Sequence, residues 1–299
     1  MGEGGVGVTF RQAKGDMVSL SYHPVTSILS HQGRGNLWEI MYFSMAELLR
    51  TEKLRKYFGV VSAADDIDLH IEEGVLTSII GPNGAGKTTL INLLTGNILA
   101  DSGKVFFRDE EISRLPIHKR VKKGICRSFQ VMNIFPKLTV LENLQIPILS
   151  LMNRSLSFIK PVNCHTDVNE RGEKLLKEIG LTDKKDLPAG TLSHGDQRLL
   201  EIGLAMAPEP KLLFLDEPTA GMNPVERVKI LENIRRLSRE RQATFVIVEH
   251  DMDIVFSLSD RIIVLHRGQI LADGKPEEIK LNEDVRKVYL GEELFWEKI

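Results

Sequence analysis

Residues 81–88 read GPNGAGKT, a glycine-rich loop of the form GxxxxGK[ST]. It directly follows a short apolar run, 75–80, and opens a stretch, 88–95, that places Leu90, Ile91, Leu93 and Leu94 at helical spacing. A strand, a glycine loop and a helix in that order turn successive backbone N–H groups toward one point. Gly84 and Gly86 let the backbone curl. The helix start adds partial positive charge, and Lys87 adds a full one. Such a loop holds phosphate: Lys87 reaches β- and γ-oxygens, Thr88 offers a hydroxyl to Mg²⁺, and Thr89 adds an α-phosphate contact. Gly81, Pro82, Asn83, Gly84, Ala85, Gly86, Lys87, Thr88 and Thr89 are therefore the expected phosphate-binding residues. An ordinary glycine turn with a helix cap is the bland alternative, and the strand and helix flanking the loop decide against it.

A second motif carries acid chemistry. Residues 212–217 read LLFLDE, four apolar residues followed by two carboxylates. Ligands of open α/β sheets bind at the C-terminal ends of such strands. Asp216 is placed to hold Mg²⁺, directly or through water. Glu217 is placed to orient or deprotonate an attacking water. Phosphoryl transfer to water needs a positioned nucleophile and neutralised charge more than covalent chemistry. Alone, the segment also reads as a capped strand end before the turn 218–221; the upstream phosphate loop weighs against that.

The rest of the pattern is consistent with a parallel sheet covered by helices. Strands are expected at 48–58, at 67–71 with alternating polarity, at 104–107 on an edge, and at 212–215, 244–248 and 261–265. Helices are expected at 139–151 and 169–179, with a loop containing Pro161 between them. Strands alternating with helices give an α/β fold. The first 44 residues scatter Gly and Ser without a sustained period and read as a poorly ordered extension, with an apolar stretch at 37–45. They lack the pattern of a secretory signal. Translation starting at Met45 is a further possibility.

Composition narrows the function class. Lys and Arg total 39 against 41 Asp and Glu, a net charge of −2, which argues against a dedicated nucleic-acid binder. Cys126 and Cys164 lie in unlike contexts with no CxxC spacing, so a disulfide framework or cysteine-built zinc site is not expected. No apolar run approaches the roughly 20 residues that span a bilayer.

Residues 191–197, TLSHGDQ, resemble the LSGGQ signature of ATP-binding cassette (ABC) ATPases, and they precede Asp216 as in that family. Other segments match in order. Phe58, just before Gly59, resembles the aromatic that stacks on adenine. Gln130 in RSFQ resembles the glutamine that senses Mg²⁺, water and the membrane partner. Residues 220–223, AGMN, resemble the D-loop and include Asn223. His250 in VEHD resembles the switch histidine. Each residue alone also has a structural reading: core aromatic, surface amide, satisfied histidine.

The resemblance implies a P-loop ABC cassette over residues 46–299, behind an extension of 1–45. It has a RecA-like core, an antiparallel β-subdomain and a helical subdomain at about 136–190. It implies ATP and Mg²⁺ as ligands, with Glu217, His250 and Gln130 catalytic and Thr88, Gln130 and Asp216 on the metal. Ser193, His194, Gly195 and Asp196, with Gly195 preceding an amphipathic helix, then face ATP held by a second ATPase subunit, identical or sister. His194 and Asp196 depart from the usual signature. A carboxylate in a first helical turn suits the helix dipole; facing the nucleotide, it would repel phosphate.

Several segments most resemble ATPases of branched-chain amino-acid importers: PNGAGKTTLINLLTG, GICRSFQ, LTVLENL, DEPTAGMNP, VEHDMDIV, the ending VYLGEE, and the inserted loop at about 151–169. This implies transmembrane permease subunits, docked through the helical region after Gln130 with Phe135 and Pro136 shaping the groove. It also implies a solute-binding protein acting indirectly, no nucleic acid, and a peripheral position on the cytoplasmic membrane face. The basic run 118–123 (HKRVKK) reads as a solvated helix face or as a strip approaching lipid headgroups. Urea or amide importers, a lipopolysaccharide exporter and soluble ABC ATPases of iron–sulfur assembly remain alternatives.

Overall fold

The computed structural model of the protein describes residues 8–11, 17–20, 47–128, 134–151, 166–240 and 243–289. Gln130, Cys164, the apolar stretch 37–45, most of the inserted loop and the end of VYLGEE lie outside these residues. The chain divides into two units, Met1–Phe43 and Ser44–Ile299. In the first, β1 (Val8–Arg11) pairs antiparallel with β2 (Met17–Leu20), strands that sequence pattern alone did not assign.

The second unit opens with β3 (Glu47–Phe58), β4 (Val61–Ile67) and β5 (His70–Glu72). Next come β6 (Thr77–Ile80), α1 (Lys87–Thr95), β7 (Ser102–Phe107) and β8 (Glu110–Glu111). β3 is the hub of an antiparallel sheet ordered β4-β3-β7-β8, with β5 also on β3. The strand expected at 67–71 is in fact the end of β4 and the start of β5. Thr51 explains the break: its hydroxyl donates to the Ile67 carbonyl at 2.7 Å and accepts the Leu69 N–H at 2.9 Å, replacing ladder bonds across the gap. β7, expected on an edge, lies between β3 and the two-residue β8.

α2 (Ile117–Lys123) and β9 (Ile125–Arg127) lead to the helical part: α3 (Val140–Leu151), α4 (Thr166–Ile179) and α5 (His194–Met206). The chain then returns through β10 (Leu212–Asp216), α6 (Pro224–Arg239), β11 (Thr244–Val248) and α7 (Met252–Leu258). It ends the described region with β12 (Arg261–His266), β13 (Gln269–Gly274), α8 (Pro276–Leu281) and α9 (Glu283–Tyr289). The second sheet is ordered β13-β12-β6-β11-β10-β9 and is parallel except for the β12–β13 pair.

Alternation along β10 and β11 divides the core. Phe214, Val246 and Val248 face Leu90, Ile91 and Leu94 of α1 and the antiparallel sheet. Leu213, Leu215, Phe245 and Ile247 face the helical side, where Leu199 and Leu200 of α5 and Ile230 and Ile234 of α6 pack. These side chains are essentially fully buried, each contributing about 1.5–3 kcal/mol relative to exposure.

The basic run on α2 is not one solvated face. His118, Lys119 and Lys122 are exposed, but Arg120 is 1% exposed. Its guanidinium donates to the carbonyls of Leu93 and Leu94 at 2.7 and 2.8 Å, and to Leu115 and Ser113. It thus satisfies orphan carbonyls at the C-terminal end of α1. Burial lowers its pKa to about 10.

Candidate functional site

β6 is buried throughout and delivers the chain to the phosphate loop at the C-terminal end of the parallel sheet. Gly86 takes φ +102°, and a Cβ there would lie 2.3 Å from the Ala63 carbonyl of β4. Only glycine permits that turn and that approach. The Lys87 ammonium donates to the Gly81 and Pro82 carbonyls at 2.6 and 3.1 Å, so it already spans the loop's mouth. Burial lowers its pKa, opposed by Glu217 and Asp216 nearby. Thr88 is exposed and Thr89 half-buried at the start of α1.

Asp216 ends β10 and is 2% exposed. Arg127 at the end of β9 donates to its Oδ2 at 2.5 Å and to Asn92 of α1 at 2.5 Å. One guanidinium therefore ties the helix of the phosphate loop to the acidic strand end. Glu217 follows at φ +45°, a left-handed conformation that costs a non-glycine residue about 1 kcal/mol or more. Its N–H donates to the Val248 carbonyl of β11 at 2.9 Å. This turn brings Glu217 Oε1 to 3.0 Å from His250 Nε2. Pro82, Asn83 and His250 line one cavity of about 580 Å³. The structure thus assembles four of the expected features, from three strand ends: the loop, Asp216, Glu217 and His250.

Glu249 was not foreseen, although VEHD follows an apolar strand as DE follows LLFL. It is buried and accepts from Thr219 Oγ1 at 2.7 Å, from the Thr219 N–H and from the His250 N–H. Burial raises its pKa despite these bonds, and neighbouring Glu217 adds to the rise. Arg198 was also missed. From α5 its guanidinium donates to the carbonyls of Asp216, Glu217 and Pro218 at 2.8, 2.9 and 3.1 Å, and to Glu201 at 2.7 Å. A lone arginine within an apolar helix pattern carries no sequence cue for that role.

The signature segment lies elsewhere. Ser193 is the N-cap of α5, its Oγ accepting the Asp196 N–H at 3.2 Å. The helix therefore starts at His194, and Gly195 sits inside its first turn rather than before it. The Gly195 N–H donates to Glu226 of α6 at 3.1 Å. Asp196 is buried beneath Lys184 and Lys229, both bonded to its carboxylate. Burial opposes its ionisation, but these partners prevail and lower its pKa. This supports the helix-turn reading of Asp196. Asn223 caps α6, accepting the Val225 and Glu226 N–H groups at 3.0 Å each. Phe58 stands 53% exposed at the β3–β4 turn. Gln130 is outside the described residues.

A separate apolar groove of about 400 Å³ opens between α2, α3 and α5, lined by Val121, Phe135, Ile146, Pro147, Leu204 and Ala205. Phe135 is where the sequence reading placed it. Pro136 instead abuts Gly190, whose N–H donates to the Pro136 carbonyl at 2.9 Å. Among the described residues, no helix is long and apolar enough to cross a membrane.

Comparison with known proteins identifies the family and the fold. Residues 64–220 match the family described as ABC transporter, and residues 269–294 match that described as branched-chain amino acid ATP-binding cassette transporter. The chain is 40% identical over 250 residues to the high-affinity branched-chain amino acid transport ATP-binding protein BraF of Pseudomonas aeruginosa, covering 82% of this chain and 98% of that protein. It is 37% identical over 253 residues to LivG of Escherichia coli, a protein of the same description, with the same coverage. The ADP conformation of MJ1267, an ATP-binding cassette of an ABC transporter, superimposes with a TM-score of 0.73 at 36% identity, covering 82% of this chain and 99% of that one. The phosphate loop, the paired carboxylates and these matches together place the chain in the ABC transporter family, as one of its ATP-binding, ATP-hydrolysing cassettes.

Proposed function

We propose that the chain energises the import of branched-chain amino acids, as the peripheral ATPase on the cytoplasmic face of a membrane transporter. The observation that carries this reading is the pairing of a strand-end cluster of phosphate loop, Asp216, Glu217 and His250 with relatives named for that transport. Lys87 and the loop N–H groups hold the triphosphate. Glu217 orients and deprotonates water, and His250, at 3.0 Å, fixes that carboxylate and reaches toward the γ-phosphate. Thr88, Asp216 and Gln130 are oxygen donors of the kind Mg²⁺ prefers. Bound there, the ion would supply charge that neutralises the phosphates.

Ser193 and its helix start complete the pocket of a second ATPase chain, identical or sister. The apolar groove around Phe135 receives a cytoplasmic segment of the permease. Closure of the ATPase pair then shifts the permease between conformations by differential affinity. In the assembled transporter, Glu217→Gln is expected to retain ATP binding while lowering kcat by roughly 10²–10⁴-fold, the usual worth of a positioned base. Near-normal hydrolysis in that variant removes Glu217 from the role. Turnover that fails to respond to a solute-binding protein loaded with leucine, isoleucine or valine removes the solute assignment.

A further inference from the structure

The cavity beside the phosphate loop has a wall that belongs to no nucleotide motif. Pro82 and Asn83 form one side, and His250 and Met252 another. Val288 and Tyr289, at the end of α9, line the third. α9 is firmly seated. Asn282 accepts the Asp284 and Val285 N–H groups at 3.0 and 3.1 Å, which fixes the start of the helix. Val285 is fully buried in a cluster that contains Ile80, the last residue before the phosphate loop, and Met252, two residues past His250. Tyr289 packs against the same cluster. Ile80 ends β6 and Met252 comes after β11, two strands that are adjacent and parallel. The C-terminal helix therefore bridges the two turns whose spacing sets the distance from the phosphate loop to the switch histidine.

We propose that Tyr289 is a positioning residue for hydrolysis, its ring holding the His250 turn in register with residues 82–83. This rests on the reading of the phosphate loop and His250 as the ATP site. The residue acts through His250 and touches no reacting atom. A residue that only sets the position of a catalytic group is expected to lower kcat and leave KM little changed. Misplacing a catalytic group by about 1 Å costs up to about 10²-fold.

The test uses the full chain in its transporter, with kcat and the KM for ATP measured for Tyr289→Ala, Tyr289→Leu and Tyr289→Phe. Alanine and leucine are expected to lower kcat between about tenfold and 100-fold, with KM held within about twofold. Phenylalanine, which keeps the ring, restores kcat. Single-turnover rates then close a cycle with His250→Ala. If Tyr289 acts through His250, the double variant is no slower than His250→Ala alone. Multiplying effects, an unchanged kcat in both Ala and Leu variants, or a loss confined to KM overturns the proposal. If His250→Ala itself hydrolyses normally, the reading of the ATP site fails instead. Should Tyr289→Ala not fold, Tyr289→Leu decides on the same criteria.

Discussion

Glu217 combines two demands on one residue. Its carboxylate must sit beside His250, and its backbone must bend to φ +45° to put it there. It also adds negative charge beside buried Glu249, whose ionisation is already disfavoured by burial. Both effects cost stability, and the exposed pairing with His250 returns little. Asparagine tolerates the left-handed region better and is neutral. Glu217→Asn is therefore expected to be more stable by about 1 kcal/mol, a rise in Tm of roughly 2–4 °C, while losing hydrolysis. A thermal melt beside an ATPase assay checks this, and a lower Tm contradicts it. The carboxylate was legible from LLFLDE, because apolar residues ending in acids mark a strand end. The strained turn was not, since nothing in the side-chain pattern reports φ. Glu249, Arg127 and Arg198 were equally hidden: each acts through tertiary bonds to residues that are distant in sequence.

At the scale of elements, periodicity located the long pieces and missed those held by specific bonds. β10 and β11 are unbroken apolar runs and α1 lies between Gly86 and Gly96, so each is legible in the sequence. β9 has only three residues and β13 buries none of its six, so neither stands out as an apolar run. The split between β4 and β5 depends on one threonine hydroxyl. α5 illustrates both sides. Its amphipathic pattern was plain, but its start was set by the Ser193 cap. Its first turn is locked by Asp196 between Lys184 and Lys229. Because the folded pKa of Asp196 is lowered, its stabilisation is complete above the ordinary aspartate value near 3.9 and is lost as pH falls through the folded value. Asp196→Asn is expected to reduce stability at neutral pH and to flatten the fall of Tm with acid. Parallel acid slopes in the two proteins contradict the assignment.

At the scale of the whole molecule, the proposed membrane partners follow from relatives named for branched-chain amino acid transport. The signature makes the sharpest claim at this level. Ser193 bonds within the start of its own helix; in the proposed pair its target is the nucleotide of another chain. In the assembled transporter, Ser193→Arg is expected to cut ATP turnover by more than about tenfold although the chain's own loop is intact. Unimpaired turnover places the signature outside the reaction.

Arg198 gives that arrangement a further property. In the proposed pair the N-terminal end of α5 would meet the other chain's nucleotide, while three hydrogen bonds from the Arg198 guanidinium to consecutive carbonyls tie the same helix to the strand end that carries Glu217. One helix would then touch one nucleotide site and hold the strand end of the other, so binding at the two sites would be coupled. Linkage of this kind runs both ways with equal free energy. The two pockets would keep time with each other through a lever, and a nucleotide bound in either would be felt as a change of stance in both.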